Sequence, residues 1–178
     1  MNQDTQTLEN FLALVREQSK EEFVENHEHP FLVEEVTKKD EEKNFEFATL
    51  QISKEEVQAL LGLGAGGAAQ PNVRKVVKRA SNAFEGMINV GRTGNNDIVL
   101  DYQAISKFHA YFTKDPGEQV YYLTDADSTN CTFVNNQQLE PHQKHRLSEG
   151  DIISFARQVD LRYYSPGGFY EMVSLINP

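Results

Sequence analysis

Arg92, Ser106 and Lys107 stand in turns of a chain whose strands are otherwise ordinary, and Ser128, Thr129 and Asn130 stand together in another turn. These are the residue types a phosphate receptor needs. A phosphate monoester carries about −1.5 to −2 charges and three acceptor oxygens, so it calls for a forked cation, a hydroxyl and amide donors on a rigid frame. Arg92 supplies the fork, Ser106 the hydroxyl, Lys107 a second cation and Asn130 the amide. Taken singly, each is an ordinary solvated turn residue, and only their company gives Arg92 a further claim.

Other chemistries fit less well. Ser106 and His109 are three residues apart and Asp101 or Asp125 could be drafted as a third member, but there is no nucleophile elbow or identifiable oxyanion hole. The expectation is a protein that is not an enzyme. Gly62, Gly64 and Gly67 match GxGxxG literally, yet the segment follows a helical pattern and runs into Gln70-Pro71, whereas a dinucleotide turn leaves a strand and opens a helix. No GK[ST] follows, so no nucleotide cofactor is expected, and none of another kind. His27 with His29 and His142 with His145 lack carboxylate or thiolate companions at metal spacing, so no metal is expected either. The single cysteine, Cys131, has Asp125 and Asp127 as neighbours, which do not favour a thiolate, and it reads as a small turn residue. Arg74, Lys75, Lys78 and Arg79 alternate with valines and read as the solvated edge of a strand or helix.

The charge is unevenly spread. The formal net charge is -10, and residues 1–60 hold 6 of the 17 Lys and Arg but 15 of the 27 Asp and Glu. Such a balance argues against general nucleic-acid binding, which needs an excess of cations for the phosphate backbone. No run of eighteen apolar residues occurs, and MNQDTQTLEN lacks the basic and apolar regions of a signal peptide. A cytoplasmic protein with no membrane partner is the expectation. One cysteine suits a reducing compartment.

The elements that would position the turn residues can be read from periodicity. Leu8, Phe11, Leu12 and Val15 give residues 5–18 as an amphipathic helix, and Ser19 with Glu22 is a capping box for a second short one. HPFLVEEVT and NFEFATLQIS, separated by KKDEEK, read as two strands, and Ser53 with Glu56 opens a short helix. GLGAGGAAQP, residues 62–71, is a linker by composition. From residue 84 onward FEGMINV, NDIVL, HAYFT, VYYLTD, TFVN, DIISFA and LRYY are strand-length runs separated by RTGN, DPGE, DADSTN, NNQQ, EPHQ and ARQVD. That spacing predicts a β-sandwich or barrel. Ser165-Pro166 would cap a closing helix with Phe169, Met172, Val173 and Ile176 on one face, docked on the sheet. In an antiparallel sandwich, loops separated by an even number of strands share an end. Only NDIVL lies between Arg92 and Ser106, so pattern alone does not bring them together.

GR at 91–92, ND at 96–97, SKFHA at 106–110, DSTNCTFVN at 127–135 and LSEGDIISF at 147–155 together resemble the forkhead-associated (FHA) domain family, in its bacterial type. The resemblance covers about 65 contiguous residues with five separated motifs in order. It implies a mainly β fold, a sandwich of about eleven strands, with an N-terminal helical and acidic extension over 1–70 and the FHA domain over 71–178. Either VRKVVKRA supplies a missing first strand, or NFEFATLQIS does so and residues 30–60 join the sandwich. It also implies a non-catalytic module that binds a phosphothreonine-containing protein, a Ser/Thr protein kinase or its substrate, in kinase signalling. Residue by residue, Arg92 matches the arginine that pairs with phosphate and Ser106 the serine that donates to it. Lys107 matches a position that contacts phosphate or peptide backbone, Thr129 one near the phosphothreonine, and Asn130 the asparagine that grips the peptide backbone. Gly91 matches the glycine that shapes the turn, and His109 the histidine that holds the loops in place. Cys131 departs from the pattern, which has glycine there, at a cost of about 1 kcal/mol if φ is positive. The alternative reading is an FHA-fold scaffold that binds partners independently of phosphate. A further expectation places Thr5 and Thr7 on a free end, where phosphorylation of either would let the chain bind itself.

Overall fold

A computed structural model of the chain describes residues 5–35, 71–80, 82, 84–118 and 120–176. Twelve strands and three helices occur among these residues. Strands β1 (Thr5–Thr7), β2 (Phe31–Glu34), β3 (Asn72–Lys75), β8 (Thr132–Val134), β9 (Gln137–Gln138), β11 (Ile152–Phe155) and β12 (Val159–Tyr164) form one sheet in the order β1-β3-β2-β12-β11-β8-β9. Strands β4 (Ile88–Gly91), β5 (Ile98–Val99), β6 (Ala110–Lys114), β7 (Tyr121–Asp125) and β10 (His145–Arg146) form the other, in the order β10-β7-β6-β4-β5. The fold is mainly β, a two-sheet sandwich.

Alternation within the strands decides which face is buried. Val90, Ala110, Phe112, Leu123, Ile153, Phe155 and Leu161 point between the sheets and are fully buried there. β2 is apolar on both faces because both are covered. Leu32 faces the space between the sheets, while Phe31 and Val33 face a second apolar cluster built with the helices. Those helices are α1 (Leu8–Glu17), α2 (Lys20–Asn26) and α3 (Pro166–Ile176). Phe169 of α3 stacks on Phe31 at 4.1 Å, and Phe11 of α1 meets Phe169 edge-on at 5.0 Å. The closing helix thus docks on the seven-stranded sheet as its period predicts, with Phe169, Met172, Val173 and Ile176 buried. Its first turn follows the cap chemistry too, since Ser165 Oγ accepts the Gly168 amide at 3.2 Å.

The capping box at Ser19 and Glu22 is present in both directions. The first helix, however, begins at Leu8 rather than residue 5. Thr5, Gln6 and Thr7 pair with Arg74, Val73 and Asn72, and the Leu8 amide donates to the Pro71 carbonyl. Thr5 and Thr7 therefore sit in an edge strand rather than on a free end. Gln137–Gln138, expected in a turn, and His145–Arg146, given no element by the sequence pattern, are two-residue strands that pair with β8 and β7. FEGMINV becomes a strand only at Ile88, because Glu85 and Gly86 turn the chain with Gly86 at φ 76°.

VRKVVKRA contributes β3, but that strand pairs with β1 and β2, not with β4. β2 in turn pairs with β12, Leu32 opposite Tyr163. Strands from both sides of the glycine-rich stretch thus share one sheet. NFEFATLQIS, KKDEEK, the Ser53–Glu56 pattern and Gly62 to Gln70 lie outside the described residues. No described helix is long and apolar enough to cross a membrane.

Candidate functional site

β5 is parallel to β4, with Val90 opposite Ile98 and Gly91 opposite Val99. After Arg92 the chain doubles back through residues 93–97, and β5 then carries it out in the same direction as β4. Arg92 and Leu100 therefore leave the sheet at one end, and the Leu100 amide donates to the Gly91 carbonyl at 3.0 Å. The strand that separates Arg92 from Ser106 in sequence brings them together in space.

Backbone bonds then tie the loops. The Arg92 amide donates to the Ser106 carbonyl at 2.9 Å, the Ala126 amide to His109 at 3.0 Å, and the Ala156 amide to Cys131 at 3.0 Å. Arg92 Nε donates to the Ile105 carbonyl at 3.1 Å, which holds the guanidinium by its inner edge. Among the described residues no carboxylate pairs with Arg92. Ser106 Oγ accepts the Thr129 amide at 3.1 Å and lies 3.4 Å from Thr129 Oγ1, so its own proton is held only by a long bond. Asn130 Nδ2 donates to the Ala104 carbonyl at 2.8 Å. Lys107 is exposed, as are Thr129 and Asn130. The five residues suggested by sequence thus lie on adjoining loops at one end of the sandwich, and the arrangement offers N–H and O–H donors and two cations to an anion.

Gly91 and His109 stand behind them. A Cβ at Gly91 would lie 2.3 Å from the Lys107 carbonyl oxygen and 2.9 Å from Asn96 Nδ2, so the close approach of these loops needs a residue without one. His109 is fully buried. Its Nδ1 accepts the Ser106 amide at 3.1 Å and its Nε2 meets the Cys131 carbonyl at 3.2 Å. An amide can only donate, so Nδ1 is bare and Nε2 carries the proton. Burial holds the imidazole below its ordinary value, against the opposing influence of the Cys131 carbonyl and Asp125. The ring engages the backbone of Ser106, not its hydroxyl, and so makes no nucleophile–base pair.

Three supports were not assigned from sequence. Asn96 is buried, and its Nδ2 donates to the Lys107 carbonyl at 2.6 Å and the Thr93 carbonyl at 2.8 Å. Asp97, also buried, accepts the amides of Arg79 and Asn89, each at 2.7 Å. Asp125 accepts the Ser128 amide at 2.9 Å, the Ser128 hydroxyl at 2.7 Å and the Thr132 hydroxyl at 2.6 Å. Its carboxylate holds the loop that carries Thr129 and Asn130 rather than serving a relay. Asn96 and Asp97 stood in one of the matching motifs without a role, and for Asp125 the only signal was a short polar residue at a strand end. Cys131, where the family pattern has glycine, adopts φ 59°.

Fold and site define a β-sandwich with its polar donors gathered on loops at one end. Residues 88–156 match the model described as the FHA domain, and this chain carries a domain of that family. Among named relatives, the oxoglutarate dehydrogenase inhibitor of Corynebacterium jeikeium is 34% identical over 100 residues, 53% of this chain and 66% of that protein. The glycogen accumulation regulator GarA of Mycolicibacterium smegmatis is 31% identical over 100 residues, 53% of this chain and 60% of that protein. The chain thus spans two thirds or less of the length of these relatives. Among solved structures, Mycobacterium tuberculosis EmbR in complex with a low affinity phosphopeptide matches at 28% identity and TM-score 0.40, over 45% of this chain and 20% of that one. Among the described residues no group of three or more His, Cys, Asp or Glu is placed to hold a metal ion.

Proposed function

We propose that the loop end reads a phosphorylated threonine on a partner protein, as a non-catalytic module in Ser/Thr kinase signalling within the cytoplasm. The observation that carries the reading is the tethering of Arg92 by Nε alone, which leaves its two terminal nitrogens without a carboxylate among the described residues. A guanidinium oriented in this way presents a fork to phosphate oxygens. Ser106 then turns its hydroxyl proton from Thr129 to the phosphate, Lys107 adds charge, and Thr129 and Asn130 meet the peptide. Membership of the FHA family supports the reading, as do relatives named as an inhibitor and a regulator. Self-binding through phosphorylated Thr5 or Thr7 would first have to unpair β1 from β3, so the partner in this reading is another chain.

The test is a titration of the full chain with a phosphothreonine peptide library and its unphosphorylated copy, with Arg92→Ala beside it. Selective binding that weakens about ten- to a hundredfold in the variant supports the reading, because charge-assisted bonds are worth about 1.5–3 kcal/mol each. Binding that ignores phosphate or Arg92 would favour a phosphate-independent scaffold.

A further inference from the structure

The loop from Asp101 to Ile105 has a hold on the opposite sheet. Tyr102 packs its ring against the core between the sheets and points its hydroxyl at Glu34 Oε1, 3.4 Å away. Glu34 is the last residue of β2, and its other oxygen accepts Asn72 Nδ2 and Arg74 Nη1 of β3, each at 2.9 Å. One carboxylate therefore joins two strands of the seven-stranded sheet to a loop that leaves the five-stranded sheet. The carbonyls of that same loop orient two of the proposed ligand groups, Ile105 for Arg92 and Ala104 for Asn130. The turn is closed by the Ile105 amide, which donates to the Tyr102 carbonyl at 3.0 Å.

We propose that Glu34 and Tyr102 are positioning residues of the phosphate site, a strut through which strands β2 and β3 fix the loop that aims Arg92 and Asn130. The inference rests on the function proposed above for its ligand but not for its geometry. Loops displaced by a fraction of an ångström lose bidentate alignment, so a contact remote from the anion can set affinity. The strut also gives the N-terminal strands a say in the site.

Tyr102→Phe removes the hydroxyl and keeps the ring on the core. The bond lost is a long one, so hydrogen exchange of the unliganded full chain should quicken at the Arg92 and Ile105 amides about two- to threefold, while Phe112 and Leu123 on the β6–β7 ladder hold their rates. Phosphothreonine peptide affinity should fall by a similar factor. Glu34→Gln keeps a neutral acceptor and should give a smaller change of the same kind, and the double variant should be no worse than Tyr102→Phe at the loop. Unchanged exchange at Arg92 and Ile105, or acceleration spread equally over every amide, would overturn the strut. The exchange arm needs no ligand, so a wild-type chain that bound no phosphopeptide would count against the functional reading alone.

Discussion

The Nε2 proton of His109 goes to the carbonyl of Cys131 at 3.2 Å, so one buried imidazole bridges the loop that carries Ser106 and the loop that carries Thr129 and Asn130. The bond from the Ser106 amide requires the neutral ring, whereas the bond to the Cys131 carbonyl would survive protonation. Protonating Nδ1 would set it against the Ser106 amide, donor facing donor.

A pH dependence follows, with its sign fixed by the direction of the shift. Burial lowers the value for folded His109 beneath the ordinary 6.5. Its contribution to stability is fully present above pH 6.5 and is lost as the pH falls through the lower folded value. His27 and His29 are lowered as well, again by burial, so total stability alone would not isolate His109. Imidazole nitrogen shifts followed by NMR would. The His109 signals should report a single Nε2-protonated tautomer at pH 6.5, where an ordinary histidine is half charged. Mixed tautomers at neutral pH would refute the bridge.

Gly91 and Gly94 make an internal comparison three residues apart. Ala at 91 would press its Cβ on the Lys107 carbonyl, which is itself held by Asn96 and Thr93 and has little freedom to retreat. Overpacking of this kind costs about 1–3 kcal/mol. Nothing lies within 4 Å of a Cβ at Gly94, so Gly94→Ala should change stability by less than about 0.5 kcal/mol. Urea unfolding of the two variants checks both, and equal midpoints would show that the loops do not need the close approach.

Cys131 occupies a left-handed conformation at φ 59°. For a residue with a Cβ that region costs about 1–2 kcal/mol, and glycine gives part of the difference back through the entropy of its unfolded chain. Cys131→Gly should stabilise the protein by about 0.5–1 kcal/mol in urea unfolding, and should leave His109 bound to the carbonyl of residue 131. A loss of stability would mean that the cysteine side chain contributes packing that outweighs its backbone strain.

What the sequence could show depended on the reach of the interaction. The apolar face of α3 and the box between Ser19 and Glu22 are local, three or four residues wide, and both stand as expected. β1, β9 and β10 exist only through their partners, so Thr5–Thr7, Gln137–Gln138 and His145–Arg146 carry no periodicity to reveal them. The meeting of Arg92 with Ser106 was hidden for a related reason. It depends on two residues, Ile98 and Val99, running parallel to β4, and a parallel step that short has no pattern. Family resemblance supplied that neighbourhood where strand counting did not. It gave no role to Asn96 or Asp125, whose bonds reach across loops and are invisible until the chain is folded.

Asp125 makes the last case, because its carboxylate has three hydrogen bonds to lose. Burial pushes its carboxyl up, but the Thr132 hydroxyl and the Ser128 amide and hydroxyl outweigh that and hold it below the ordinary 3.8. The sign for an acid is plain: its contribution is present above pH 3.8 and disappears as the pH falls through the lower folded value. Asp125→Asn keeps the shape and removes the charge. One oxygen can still accept the Ser128 amide, but the new NH2 faces the hydroxyls of Ser128 and Thr132, and Thr132, fully buried, is left without an acceptor for its proton. An orphaned buried donor costs about 1–3 kcal/mol. The variant should lose that much in urea unfolding at pH 7, and Asn130 and Thr129 should exchange faster while the Gly91 turn keeps its rates. If stability at pH 7 were unchanged, the carboxylate would not be what holds the loop closed.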